Sequence, residues 1–506
     1  MFRKISELND SRDRKFFIEK IILFIKLVKA CAVRKNIPFD TKSFNNKEFL
    51  FSRLIDLNIL SSKAEIDELE KILKRDLFLM FKNAVKFSVI YEDKIGDTID
   101  KLDFQKRKTK QLNNTEQKKP KLIDFFCGAG GLSLGFVQEG FHIDLANDYE
   151  EVCIETYKYN HPEIPEERII HGDIKNIVNH IEDYLVNEVD IVVGGPPCQG
   201  FSSANQQRVI DDPRNELYKY FIRAVEKIAP KFVVMENVKG MLPYAEQVVS
   251  DYKNIKIQKK NNQYFYDISY KVLISDDFGV AQKRQRLIFI AVRNDIVENQ
   301  KITASKLFEK IEKASKKCKK HILIDALNYI KPLEAPRVKN LTEVDDETTG
   351  KKVDVNQYNG NENSYLKLIN QNRTIPFVFN HKARFASDIN YEIYKRLDQG
   401  DDGTNIKISD IMPYLHRNHL FKDKYYKLIA DKPSKTITAH LKMDCHSHIH
   451  PYQVRSITPR EAARIQSFPD DYVFLGAYLK TYMQIGNAVP PLMARVIAKI
   501  IKSYIK

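Results

Sequence analysis

Apolar residues recur at helical spacing through the first hundred positions. In FFIEKIILFIKLVKACAV, residues Ile18, Ile21, Ile22, Ile25 and Val28 share one face, and IDELEKILKRDLFLMFKNAV repeats the pattern, which predicts a small helical domain over residues 1–102. The stretch FQKRKTKQLNNTEQKKPK that follows is basic and lacks apolar periodicity, so residues 103–119 read as a linker, with Pro120 at the entry to the next domain. From Lys121 the period changes. Short runs rich in β-branched and aromatic residues, LIDFF, HIDLAN, DIVVGG, KFVVMEN, YKVLI and RLIFIAV, alternate with helix-length segments. Strands separated by helices predict βαβ units and a mainly parallel sheet, hence an α/β domain over residues 120–294. The alternation fades over residues 295–454, which are rich in Lys, Asn and Asp and read as a smaller, irregular lobe. Regular patterning returns over 455–506, a segment read as going back to the α/β domain.

Charge narrows the partner. Lys and Arg total 82 against 67 Asp and Glu, a formal net charge of +15, which favours a polyanion such as nucleic acid. The start MFRKISELND has no apolar core or small-residue cleavage site, so no signal peptide is expected. The most apolar stretch, IILFIKLVKACAV, is broken by Lys26 and Lys29 and is too short to cross a bilayer, so no membrane partner is expected. Six cysteines at 31, 127, 153, 198, 318 and 445 form no CxxC pair, which argues against a disulfide framework or a cysteine-rich zinc site. Mostly idle thiols in a reducing cytoplasm are the expectation.

Candidate chemistry sits at strand ends. LIDFFCGAGGLSLGF is a strand, a glycine cluster and a helix start, where Gly128, Gly130 and Gly131 let the backbone approach a ligand. Ser133 takes the place of the third glycine of a dinucleotide fingerprint, and the Lys-Ser/Thr pair of a phosphate loop is absent, so nicotinamide and nucleoside triphosphate ligands are disfavoured. At the end of the second strand Asp148 suits ribose hydroxyls and Tyr149 offers a face to adenine; Asp173 and Ile174 follow in HGDIKNI, and together they point to an adenosine pocket. In DIVVGGPPCQGFSSANQQR the rigid Gly-Gly-Pro-Pro turn presents Cys198 at the sheet edge as a candidate thiolate nucleophile. Glu236 ends another strand as a candidate acid, and Arg284 and Arg286, two apart in QKRQR, should project from one strand face.

The blocks DFFCGAGGLSLGF, GGPPCQGFS, ENVKG, QKRQR, RSITPREAARIQSFPDDYVF and YMQIGNAVPP occur in the order found in DNA cytosine-5 methyltransferases, and the chain resembles a bacterial, restriction-modification type member over about residues 121–294 and 430–500. The resemblance implies an S-adenosylmethionine-dependent, Rossmann-like methyltransferase domain with a target-recognition lobe. It implies that S-adenosyl-L-methionine is held by Asp124, Phe126, Gly128, Ala129, Gly130 and Gly131, with Asp148 on the ribose and Tyr149 on the adenine. Asp173 and Ile174 would meet the purine edge, Pro196 and Leu217 the methionine side, and Asn487, Ala488 and Val489 would close the pocket. Cys198, Glu236, Arg284 and Arg286 are the implied catalytic residues, and Gln199, Ser202 and Arg214 the implied DNA contacts. The last helix, PLMARVIAKIIKSYI, is amphipathic and by the family's layout should pack beside the first strand.

The implied partner is double-stranded DNA, methylated by a monomer, in a bacterial cytoplasm at the nucleoid, with a separately encoded restriction endonuclease as companion. Two alternatives are an RNA (tRNA) cytosine-5 methyltransferase, whose Cys-Phe-Thr tripeptide is absent, and a catalytically silent DNA-binding protein, against which Cys198, Glu236 and Arg286 argue. In MDCHSHIHP, Cys445, His446, His448 and His450 invite a zinc reading, but neighbours along a strand face opposite ways and the related segment of the family carries no metal; none is expected. Thr458 followed by Glu461, with Pro459 between, is the order of a capping box and predicts a framework helix. The helices of residues 1–102 and the linker are expected to add DNA affinity without altering the site, the competing expectation being that the helices complete the fold or recruit another subunit.

Overall fold

A computed structural model describes residues 2–41, 47–96, 119–185, 188–197, 217–259, 262–355, 362–413 and 424–505. The linker between residues 103 and 118, together with Cys198, Gln199, Ser202 and Arg214, lies outside the described residues. The N-terminal helices are α1 (Ser11–Arg34), α2 (Lys47–Asp56) and α3 (Ile66–Ile90). The strands are β1 (Lys121–Phe125), β2 (His142–Asp148), β3 (Ile169–His171), β4 (Ile191–Gly194), β5 (Phe232–Val238), the short pair β6 (Ile257–Lys259) and β7 (Asn262–Tyr264), then β8 (Tyr266–Ile274), β9 (Gln285–Arg293), β10 (Gly350–Val355) and β11 (Phe377–Lys382).

Seven strands form one sheet in the order β3-β2-β1-β4-β5-β9-β8. The first five are parallel, and β9 runs antiparallel to both of its neighbours. Period-two alternation divides the strands between two cores. Leu122, Ile191, Val193, Phe232 and Val234 bury on one face, while Ile123, Val192 and Val233 bury on the other. The C-terminal helix Pro491–Lys502 covers the first face beside helix Gly131–Gln138. Gly135 makes that approach possible: a Cβ there would lie 2.5 Å from the Ala494 Cβ and 2.6 Å from the Pro491 carbonyl oxygen.

Two boundaries differ from those read in the sequence. Helix Ala304–Ser315, assigned above to the second lobe, packs Leu307, Phe308 and Ile311 into the core beneath β8 and the C-terminal helix. Its length and charged faces look like lobe texture, and only the tertiary contact reveals its place. The lobe's own core is small, built on Ile393, Tyr394, Leu397, Ile408, Tyr425 and Ile449. The N-terminal helices are the second difference. Ile21, Phe24, Val28, Phe81 and Val85 share one continuous core with Tyr159, Val473 and Leu475 of the α/β domain and with Val353, Phe377 and Phe379 of the β10–β11 ribbon. The packing favours the competing expectation, that these helices complete the fold.

The RSITPREAARIQ block is framework. Thr458 accepts from the Glu461 main-chain N–H, Glu461 accepts from the Thr458 N–H at 2.7 Å, and Pro459 opens the helix Pro459–Ile465. Arg455 adds a buried ion pair to Glu461 at 2.6 Å. Around it the histidines serve packing. His446 accepts or donates to the Tyr394 hydroxyl at 2.8 Å and stacks on Tyr425, and the His450 Nδ1 accepts from the main-chain N–H of Tyr452 and of Gln453, both at 3.1 Å. Cys445 Sγ accepts from Arg384 at 3.5 Å.

Burial pushes His381 down to about 4 and His450 down to about 3, and pushes Asp124 up to about 7. Unfolded imidazoles take up protons below about pH 6.5 while His381 cannot until about pH 4 and His450 until about pH 3, so their share of stability is lost as pH falls from 6.5. Asp124 has the opposite sign: its folded pKa is raised, so its contribution is full below the unfolded value and is lost as pH rises towards 7. Acidification from pH 7 to 5 should therefore lower the urea midpoint, and Asp124→Asn should steepen that loss by removing the opposing group. A midpoint that rises on acidification in the wild type, or a shallower slope in the variant, would contradict these assignments.

Candidate active site

The chain runs outward from β1 to β3, then crosses to β4, so the topological switch point lies between β1 and β4, where ligands of open α/β sheets bind. Both the glycine turn and the Pro-Pro loop leave the sheet there. In the turn, Phe126, Gly128 and Gly130 have φ of +54°, +53° and +87°. A Cβ on Gly128 would meet nothing within 4 Å, so this backbone borders open space. The underside is filled. Gly130 rests against Tyr157 and Tyr472, the Tyr472 hydroxyl donates to the Ala129 carbonyl, and a Cβ on Gly131 would lie 2.4 Å from the Val489 carbonyl oxygen. Ala488 and Val489 thus stand against the turn, and Asn487, just before them, is exposed.

Asp148 ends β2 beside the turn. Its carboxylate accepts from the Gly128 N–H and from the Glu150 N–H, both at 2.8 Å, and burial, against those donors, holds its pKa above the usual carboxylate range. Tyr149 is 73% exposed, an unusual state for an aromatic at a strand end, and the His171 ring lies beside it at 6.5 Å. Asp173 caps helix Ile174–Asn179 through the Lys175 N–H at 2.9 Å, and Gly172 before it also borders open space. Two residues of the implied pocket lie deeper. Ile174 is in the hydrophobic core, and Asp124 is fully buried below the turn, accepting from the Tyr157 hydroxyl at 3.3 Å. Asp124 lies on the face of β1 that carries Leu122, where the Tyr157 hydroxyl holds it beneath the turn.

On the other side of the switch point, the loop leading to Cys198 is tied to β5. The Asn237 Nδ2 donates to the Pro196 carbonyl at 3.0 Å, and a Cβ on Gly195 would lie 2.9 Å from the Glu236 Oε2. Glycine there lets the Glu236 carboxylate lie against the loop without shifting. In the antiparallel register Glu236 faces Ile288 and Val238 faces Arg286, which sets Glu236 and Arg286 on the same face as diagonal neighbours. Their side chains form an ion pair at 2.6 Å, both largely buried. Burial lowers the Arg286 pKa, and the Glu236 carboxylate opposes that. Leu217 begins the helix Leu217–Ile228.

Arg284 departs from the expected geometry. It precedes β9, so strand alternation does not govern it, and its fully buried guanidinium donates to the carbonyls of Ile437 at 2.5 Å and Gly486 at 2.8 Å. Gln282 joins the same seam, accepting from the Ile437 N–H at 2.7 Å and donating to Gln466 at 2.8 Å. The sequence places Asn237 beside Glu236 at a strand end without giving it a role, and Gln282 opens the QKRQR block without being singled out.

A switch-point cleft with an open glycine turn, a carboxylate and an exposed aromatic at the end of β2, on a sheet with one antiparallel strand near its edge, defines an S-adenosylmethionine-dependent methyltransferase fold. The sequence model of the C-5 cytosine-specific DNA methylase family matches residues 120–503, and the chain belongs to that family; it is a DNA (cytosine-5)-methyltransferase. It is 33% identical over 384 residues to the type II methyltransferase M1.HphI of Haemophilus parahaemolyticus, covering 74% of this chain and 85% of that one. It is 32% identical over 419 residues to the type II methyltransferase M.DdeI of Desulfomicrobium norvegicum, covering 76% and 88%. Among solved structures, a prophage-encoded E. coli protein described as a DNA modification methyltransferase superposes with a TM-score of 0.55 at 25% identity, covering 76% of this chain and 99% of that one. Among the described residues no helix is long and apolar enough to cross a membrane.

Proposed function

We propose that this chain methylates C5 of a flipped-out cytosine in a specific double-stranded DNA sequence through a covalent bond from Cys198, as the modification enzyme of a type II restriction-modification system. The observation that carries the reading is the convergence of Glu236 with Arg286 and with the Gly195–Pro196 turn that leads directly into Cys198. The open backbone at Gly128 and Gly172, the Asp148 acceptor and the exposed Tyr149 fit an adenosine moiety. S-adenosylmethionine would be held there with Phe126 and closed in by Asn487, Ala488 and Val489, and when bound would supply an electrophilic methyl group.

In this mechanism the Cys198 thiolate adds to C6, and the electrons of the C5–C6 double bond become available at C5. Glu236 hydrogen-bonds N3 and shares its proton as negative charge moves into the ring. Arg286 orients Glu236 and holds the O2 side, while Arg284 acts as a positioning residue that keeps the start of β9 on the Ile437 and Gly486 carbonyls. C5 would take the methyl group as the sulfonium C–S bond breaks and its electron pair stays on sulfur as a neutral thioether; the C5 proton then leaves to a base, and re-formation of the C5–C6 double bond expels the thiolate. The ring faces used are hidden in a duplex, which requires base flipping. Gln199, Ser202 and Arg214 are proposed DNA contacts of the same loop, and sequence choice is assigned to the second lobe. Action as a monomer, a nucleoid-associated cytoplasmic location and a separately encoded endonuclease belong to the same reading.

Bisulfite sequencing of DNA from cells expressing the protein tests it: one short motif should be protected at one cytosine. Transfer of labelled methyl groups to tRNA, or to neither acid, would favour the RNA-directed or the silent alternative. At the cofactor pocket, Phe126→Ala and Asp148→Ala should each weaken S-adenosylmethionine binding by about tenfold or more while DNA binding changes little, as calorimetry would show. Unchanged cofactor affinity in both variants would remove the pocket assignment.

A further inference from the structure

We propose that α1 is a strut that sets how the recognition lobe sits on the catalytic domain, with Glu19 as the positioning residue that joins the two. The inference rests on the assignment of sequence choice to the second lobe. The family match begins at residue 120, so α1 is an addition to the shared enzyme, yet it is not an appendage. One side grips the catalytic domain. Lys20 pairs with Glu155 at 2.9 Å, both only 5% exposed, and Arg3, just ahead of α1, pairs with Asp13, Glu155 and Glu166 at 3.0, 3.0 and 2.8 Å. The other side grips the β10–β11 ribbon: Lys26 pairs with Asp345 at 2.9 Å, and Arg34 donates to the Pro376 carbonyl at 3.5 Å.

Glu19 sits at the join. Both of its carboxylate oxygens lie 2.9 Å from the Gly476 main-chain nitrogen in the C-terminal segment, and its Oε1 lies 3.0 Å from the Lys352 Nζ on β10. The ribbon is held on its far side too, where Arg460 donates to the Phe379 carbonyl at 2.7 Å and Asn380 exchanges hydrogen bonds with Phe474 at 3.0 and 3.1 Å. Val353, Phe377 and Phe379 are thereby enclosed between α1 and the C-terminal segment. Half-exposed ion pairs such as Lys26–Asp345 add little stability but fix register, whereas a buried pair such as Lys20–Glu155 specifies one docking. Discrimination among base sequences needs contacting groups held to within about 0.5 Å, and among the described residues the lobe's separate core is one small cluster.

The test uses the full chain carrying Glu19→Gln with Lys26→Met, and in parallel Lys352→Met, which cuts the same link from the ribbon's side. Amide exchange over residues 350–355 and 377–382 should quicken about fivefold while β1 to β5 and cofactor affinity stay as in the wild type. The ratio of methylation rates on the preferred site over single-mismatch sites should fall about fivefold in both variants. Unchanged exchange over the ribbon would overturn the strut whatever the methylation result, and faster exchange with undiminished discrimination would overturn its role in sequence choice. A wild type that methylated no DNA would instead remove the reading on which the lobe's role rests, with the exchange measurement still deciding whether α1 holds the ribbon.

Discussion

Cys198→Ser should lower methyl transfer by at least about a thousandfold while leaving cofactor and DNA binding largely intact. The hydroxyl is isosteric enough to leave the loop, held by Asn237 at the Pro196 carbonyl, in place. It ionises far less readily than a thiol and is a much poorer nucleophile toward C6. The rest of the site would still gather the base beside Glu236 and Arg286, so binding should persist and the loss should appear in kcat. Single-turnover rates with labelled cofactor measure this; a variant keeping more than about a tenth of the wild-type rate would exclude covalent catalysis by Cys198.

The second large effect concerns the first hundred residues. A chain beginning at Lys118 should fail to accumulate as folded, active enzyme. Its loss would bare Tyr159, Val473, Leu475, Val353, Phe377 and Phe379, and each large apolar side chain returned to water costs roughly 1.5–3 kcal/mol. Glu155 would lose Lys20 and Arg3, leaving a carboxylate partly enclosed without its ion partners. The sum is comparable to the whole stability of a typical domain, about 5–15 kcal/mol. Solubility, thermal midpoint and methylation of the shortened chain are the readouts. A soluble product with the wild-type midpoint, methylating the same sequence with only weaker DNA binding, would restore the appended-domain expectation.

The contrast between these regions explains what the sequence could carry. Strand runs such as KFVVMEN and RLIFIAV are local signals: β-branched and aromatic residues crowd a short continuous run, and each becomes a strand of the central sheet. The glycine turn is equally local, because the positive φ at Gly128 and Gly130 favours glycine whatever surrounds it. The capping box of Thr458 and Glu461 needs only a three-residue spacing. What escaped reading depends on distant partners. Nothing near Arg284 announces Ile437 and Gly486, and the rule that residues two apart share a face fails when one of them lies outside the strand. Asp124 lies in the same block as the turn and was grouped with it, yet it sits on the Leu122 face of β1, held beneath the turn by the Tyr157 hydroxyl. The amphipathic face of α1 was legible, but not that the ribbon and the C-terminal segment cover it. Helix Ala304–Ser315 was misassigned for the same reason.

The most direct measurement of the central claim uses a duplex carrying 5-fluorocytosine at the methylated position, incubated with the enzyme and S-adenosylmethionine. Fluorine cannot leave C5 as a cation, so the step that frees the enzyme is blocked after methyl transfer. The account predicts a stable protein–DNA adduct carrying one transferred methyl group, with the bond mapped by mass spectrometry to the peptide containing Cys198. An enzyme that turns over ordinary DNA yet forms no adduct with the fluorinated duplex, or forms it at another residue, would contradict it.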